Sequence, residues 1–225
     1  MRRNVTLQEI SDGNLYSRHD LVRVGTGDCK GCHACCCGTG HAVVLDPLDV
    51  YRMAKRLDLS FMGLMQEYLE ARLIDGLVLP TLRMVGEEER CTFLNGEGRC
   101  RIHEDRPGIC RLFPLARYYE SGRFAYILQV GECQKSNLTK VKVKTWMDEP
   151  NLPVYEDFVT RWHYFLKNME AYVQEQPEDA QAVSMYVLNT FYAAPYKEEE
   201  DFYQQFDQRL AEAKDSFGIE EEQLI

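Results

Sequence analysis

Apolar positions change their period several times along the chain, and those changes mark out the elements. Residues 21–24 read as a short strand running into a cysteine-rich turn, and residues 42–45 as a second strand stopped by Asp46-Pro47. Pro47, Leu48, Val50, Tyr51, Ala54 and Leu57 then fall at helical spacing, with Asp46 as N-cap and Pro47 in the first turn. Ser60 caps a second helix through Phe61, Leu64, Met65, Tyr68 and Leu69. Residues 77–85 read as extended, set off by Gly76 and Gly86, and the acidic run 87–89 as a solvated turn. Residues 91–100 suggest a β-hairpin around Asn95-Gly96 and Gly98. Arg106-Pro107 opens a short helix carrying Cys110, Arg111 and Phe113 that Pro114 halts. Residues 124–130 form a strand after the Ser121-Gly122 turn.

Beyond about Val141 the pattern is helical and free of cysteine. Val154, Phe158, Trp162, Phe165 and Met169 share one face, as do Val183, Tyr186, Val187 and Phe191, and then Phe202, Phe206 and Leu210. Pro177 and Pro195 separate these segments. Aromatic stripes at this spacing are core. The expected class is therefore α+β: a small cysteine-cluster domain of helices and short strands over residues 1–148, followed by a C-terminal α-helical region over 149–225.

Composition narrows the function classes. At 225 residues and 45% hydrophobic, the chain can build a real core. A formal net charge of -10 argues against nonspecific nucleic-acid binding. No apolar run approaches the roughly 18 residues of a membrane span, and the N-terminal residues lack the apolar segment of a secretory signal. Nine cysteines without such a signal point to a reducing cytoplasm and to thiol or metal chemistry.

The chemistry concentrates in residues 28–38, DCKGCHACCCG, where Cys29, Cys32, Cys35 and Cys36 form a CxxCxxCC run with Cys37 behind it. Cysteines this close in sequence suit thiolate ligation of one metal centre far better than disulfides. Cys91, Cys100, Cys110 and Cys133 follow at wide spacing, beside Arg, Gly or Pro and off any apolar stripe. Residue 39 is Thr, so the fourth Cys-Pro element of a bacterial ferredoxin run is missing, and the first gap is too short for a CxxxCxxC motif. Between Met84 and Phe124 lie seven arginines and no lysine. Guanidinium groups can neutralise a thiolate centre and donate to sulfur, and Arg106 and Arg111 are the candidates for that supporting role. Seven acidic residues in the same stretch offer salt bridges as a competing use. His33 lies inside the cluster, where it either replaces a cysteine as ligand or, as the position between Cys32 and Cys35 favours, faces outward. His41 and His103 read as surface or supporting groups, and His163 belongs to the aromatic helix.

The blocks CKGCHACC at 29–36 and CTFLNGEGRCRIHEDRPGICRLFP at 91–114, with the later Cys133, resemble the YkgJ-like cysteine cluster family, the CxxCxxCC zinc- or iron-chelating domain. The resemblance covers about residues 28–148, including the connecting helix DPLDVYRMAKRLDLSFMGLMQEYL and a segment with Trp146. It selects Cys29, Cys32, Cys35, Cys36, Cys91, Cys100, Cys110 and Cys133 as ligands, leaves Cys37 extra, and places His103 where the family commonly has tyrosine. Members are often described as iron-sulfur oxidoreductases, and a related cysteine pattern occurs in flagellin lysine methylase. The resemblance implies an iron-sulfur (4Fe-4S) or zinc cofactor and a protein redox partner or protein substrate, while charge and hydropathy point to no nucleic acid and no membrane. A zinc-binding structural module without redox activity stands as the rival reading.

Overall fold

The computed structural model describes residues 6–27 and 32–219. A short helix α1 (Leu7–Ile10) precedes β1 (Leu21–Gly25), which pairs antiparallel with β8 (Thr139–Lys142) in the register Val22↔Val141. Val22 and Val24 are buried while Leu21 and Arg23 are exposed, the alternation of a half-buried strand. This ribbon joins the strand before the cysteine turn to the strand after Cys133, so the intervening chain is a closed excursion.

Helix α2 (Pro47–Leu57) starts where the sequence predicts it. Asp46 Oδ1 accepts the Asp49 N–H at 2.8 Å and Asp49 returns the bond, a reciprocal capping box with proline in the first turn. Helix α3 (Phe61–Glu67) is capped by Ser60, whose Oγ accepts from Gly63. It is shorter than its apolar spacing predicts, because Leu69 already belongs to β2 (Leu69–Ile74). β2 pairs with β3 (Leu77–Leu82) across Asp75-Gly76, both at positive φ, the geometry of a two-residue hairpin turn.

Residues 42–45 do not form the expected strand. They reach β3 through a single bridge, Val44↔Thr81, flanked by Leu45 N–H to Pro80 C=O and Leu82 N–H to Val43 C=O. Pro80 has no N–H to extend the ladder, and Pro47 commits the chain to α2 at once. The expected hairpin over 91–100 is reduced to its turn end, where Asn95 N–H to Arg99 C=O and Arg101 N–H to Phe93 C=O flank one antiparallel bridge. Arg90–Cys91 is β5 and pairs with β4 (Met84–Val85), while 94–100 is a tight turn closed by the single bridge Leu94↔Cys100. Residues 87–89 are an exposed turn, as read from their charge. Helix α4 (Gly108–Leu112) ends before Pro114, and β6 (Leu115–Glu120) turns into β7 (Arg123–Leu128) at Ser121-Gly122.

After α5 (Val143–Met147) the chain is helical: α6 (Leu152–Glu175), α7 (Ala180–Leu188) continuing as a π-helical turn to Ala193, and α8 (Phe202–Phe217). The protein is thus α+β with a C-terminal helical region. The predicted aromatic stripes are core: Phe158 meets Phe206 at 4.6 Å and Trp162 meets Phe191 at 5.0 Å between ring centroids. One apolar cluster runs without interruption from Val22 to Ala213, with Cys36, Cys100 and Cys110 packed along its edge. No helix of the described residues is long and apolar enough to cross a membrane.

Candidate metal centre

Four segments bring thiols toward one place. Cys29 lies outside the described residues. The chain is described again from Cys32, and residues Ala34–Cys36 form one 3-10 turn, closed by Cys36 N–H to His33 C=O at 2.9 Å and Cys37 N–H to Ala34 C=O at 3.2 Å. That turn sets the sulfurs of Cys35 and Cys36 4.0 Å apart. Beyond it, Cys37 bridges to Arg90 and the Gly38 N–H reaches the Glu88 and Glu89 carbonyls, which fastens the turn to the β4–β5 pair. Cys91 is delivered by β5 on the same pair.

Cys100 comes from the 94–100 turn. Asn95 Oδ1 accepts from the Glu97 and Arg99 N–H groups at 3.0 and 2.8 Å, holding the turn from inside. Gly98 stands at φ 70°, and a Cβ there would lie 2.6 Å from His33 Nδ1. His33 therefore packs on the backbone of the second cysteine turn. Cys110 comes from α4, at the C-terminal side of the RPG step.

The thiols feel one another. A hydrogen bond with Cys36, helped by the nearby Arg106 guanidinium and opposed by burial, brings the Cys35 thiol down to about 7. The same bond, burial, and the charges of Cys35, Cys110 and Cys91 push the Cys36 thiol up. Burial first, then neighbouring thiols, raises Cys91 and Cys100, with Cys37 among the neighbours of Cys91. Cys110 is held well above the ordinary thiol range by burial, then by Asp49, Cys91, Cys100 and Cys35. Cys35, Cys36, Cys91, Cys100 and Cys110 thus share one electrostatic site. Cys32 is half-buried at the head of the first turn and Cys133 is half-buried in the loop after β7. None of the described interactions joins either of them to the five.

The two arginines singled out from sequence part company. Arg106 lies in the field of Cys110, Cys100 and Cys35, and its guanidinium also donates to the His103 carbonyl at 2.7 Å. Arg111 is buried; its Nη1 and Nη2 donate to the Asp148 carbonyl at 3.2 Å and the Glu104 carbonyl, which braces α4, while its Nε is buried with no hydrogen-bond partner among the described residues. Arg101, which sequence reasoning passed over, is among the charges that act on Cys100.

Soft thiols from four chain segments, with guanidinium groups beside them, are the donor chemistry of zinc or iron. Among the described residues no three His, Cys, Asp or Glu side chains are gathered tightly enough to hold an ion as they stand. A family model described as "CxxCxxCC: Putative zinc- or iron-chelating domain" matches residues 28–145, a span that starts at the cysteine turn and ends inside α5. No curated protein and no solved structure matches the chain.

Proposed function

From the premise that this chain belongs to the CxxCxxCC family of zinc- or iron-chelating domains, we propose that it is an iron-sulfur protein. Its ligands are drawn from Cys29, Cys32, Cys35, Cys36, Cys91, Cys100, Cys110 and Cys133, and its role is electron transfer or support of a modification reaction on a protein substrate. The observation that carries this reading is the shared electrostatic site of Cys35, Cys36, Cys91, Cys100 and Cys110 with Arg106 beside it. A thiolate-bound 4Fe-4S group supplies one-electron chemistry when bound. The chain's own part is to hold thiolates along the core edge, from the exposed Cys35 to the buried Cys91, and to offset their charge with Arg106 and Arg101. That burial and hydrogen bonding around sulfur tune such a centre.

The test is metal and acid-labile sulfide content, with a visible spectrum, on protein purified without oxygen. Iron with equimolar sulfide and broad visible absorbance is the expected result. Stoichiometric zinc with no colour would replace this reading by the structural module, in which metal closes the irregular segments 86–107.

A further inference from the structure

Asp49 is a carboxylate 3% exposed, on the first turn of α2, and the capping box uses only part of it. Oδ2 accepts the Asp46 N–H at 3.2 Å; Oδ1 crosses to another element and accepts the Gly108 N–H at 2.7 Å, in a fully buried bond. Gly108 is the first residue of α4, and the N-cap of that helix, Pro107, has no side-chain cap of its own. The nearest cation along α2, Arg52, is already paired with Glu149 at 2.6 and 2.9 Å. So the carboxylate is buried with its main outward bond aimed at one backbone donor. Burial first, then the neighbouring Asp46, pushes this carboxyl well above the ordinary carboxylate range, while the Gly108 and Asp46 N–H groups and then Arg52 pull it the other way.

The other side of Gly108 is closed as firmly. A Cβ there would sit 1.9 Å from the Tyr155 hydroxyl, which Arg117 also engages at 2.9 Å. Helix α4 has five residues and cannot hold itself by its own hydrogen bonds. Its first residue is clamped between a carboxylate from α2 and a phenol from α6, and Cys110 follows two residues later.

We propose that Asp49 is a positioning residue of the metal centre: by capping α4 from α2 through Gly108, it fixes where the Cys110 sulfur meets Cys35, Cys36 and Cys91. This rests on the reading of Cys110 as a ligand. The test compares full-length wild type, Asp49→Ala and Asp49→Asn, purified without oxygen. Two readouts are taken: metal loss to EDTA, and peptide-resolved iodoacetamide labelling of Cys110 against Cys91. Asp49→Ala is expected to lose metal about 10-fold faster or more, the range for a lost supporting partner, and to label faster at Cys110 with Cys91 little changed. Asp49→Asn keeps an acceptor for the Gly108 N–H and is expected to restore both toward wild type. Wild-type behaviour of Asp49→Ala in both readouts would overturn the proposal. So would an Asn variant as defective as Ala, or labelling that rises equally at both cysteines in the Asn variant. If wild type holds no metal, the reading of the centre fails on its own, and the Cys110 labelling still decides whether Asp49 sets that thiol.

Discussion

Gly108 shows how little room a single position leaves around the cysteine helix. The Tyr155 oxygen occupies the space a Cβ would need, and the next atoms, Tyr155 Cζ at 3.1 Å and Asp49 Oδ1 at 3.7 Å, are far less severe. Gly108→Ala is therefore expected to destabilise by about 1–3 kcal/mol, the usual penalty for overpacking. Tyr155→Phe alone should cost about 1 kcal/mol for the lost Arg117 bond. Adding Tyr155→Phe to Gly108→Ala should recover part of the loss, and strictly additive urea midpoints would refute the clash. His163 gives a second test at this scale. Its ring stacks on Tyr119 at 3.6 Å with a 7° tilt, and burial, then Lys167, holds its imidazole down to about 4. Between pH about 6.5 and about 4 the unfolded chain takes up a proton the folded chain refuses, so stability falls as pH falls. His163→Phe should make the drop in melting temperature between pH 7 and pH 5 smaller than in wild type; an equal drop would clear His163 of the effect.

Among the elements, those that local chemistry specifies were legible and those that depend on a distant partner were not. Asp46-Pro47 and Ser60 announced α2 and α3 because a cap acts within three residues. The aromatic stripes of α6 to α8 were legible because a helix face repeats on its own period. Strand β2 was missed although Asp75-Gly76 between apolar residues is a hairpin signal; helical spacing running on to Leu69 masked it. The 42–45 segment looked like a strand and is reduced to one bridge, since its neighbour presents Pro80. In the site, the cysteines were visible by spacing, whereas nothing in the local pattern singled out Asp49 or Tyr155. Their contacts with Gly108 join positions 59 and 47 residues away, which no local pattern records. The 94–100 turn carries its own prediction. Gly98 is at positive φ with His33 against its Cα, while Gly96 has nothing within 4 Å. Gly98→Ala should push the Cys100 turn off the first cysteine turn and weaken metal retention, with Gly96→Ala as a near-neutral control. Equal chelator sensitivity of the two variants would remove His33 packing from the account.

At the scale of the whole molecule the two halves depend on each other unequally. The helical region closes much of its core on itself, through Phe158 with Phe206 and Trp162 with Phe191. The region that the family model matches leans on it from several sides. The Tyr192 hydroxyl donates to the Leu45 carbonyl just before α2, and Ser184 accepts the Val78 N–H of β3. Tyr164 accepts the Gly122 N–H at the β6–β7 turn, and the Tyr155 hydroxyl stands under α4. A chain cut after residue 148 would expose the faces of Leu45, Leu48, Leu77 and Leu79, all buried in the common core, and would leave Asp49 without the phenol that clamps Gly108 from the far side. The truncated protein is expected to lack a cooperative thermal transition and to retain little metal. Removing metal from the intact chain should act in the opposite order. Chelation releases the thiol segments at the core edge, lowering the melting temperature, while most of the far-ultraviolet helical signal from α6 to α8 persists because none of those helices carries a cysteine. A fragment of residues 1–148 that melts cooperatively with full metal content would show that the matched region folds alone. Loss of all helical signal on chelation would show instead that the centre organises the aromatic core, reversing the dependence argued from these contacts.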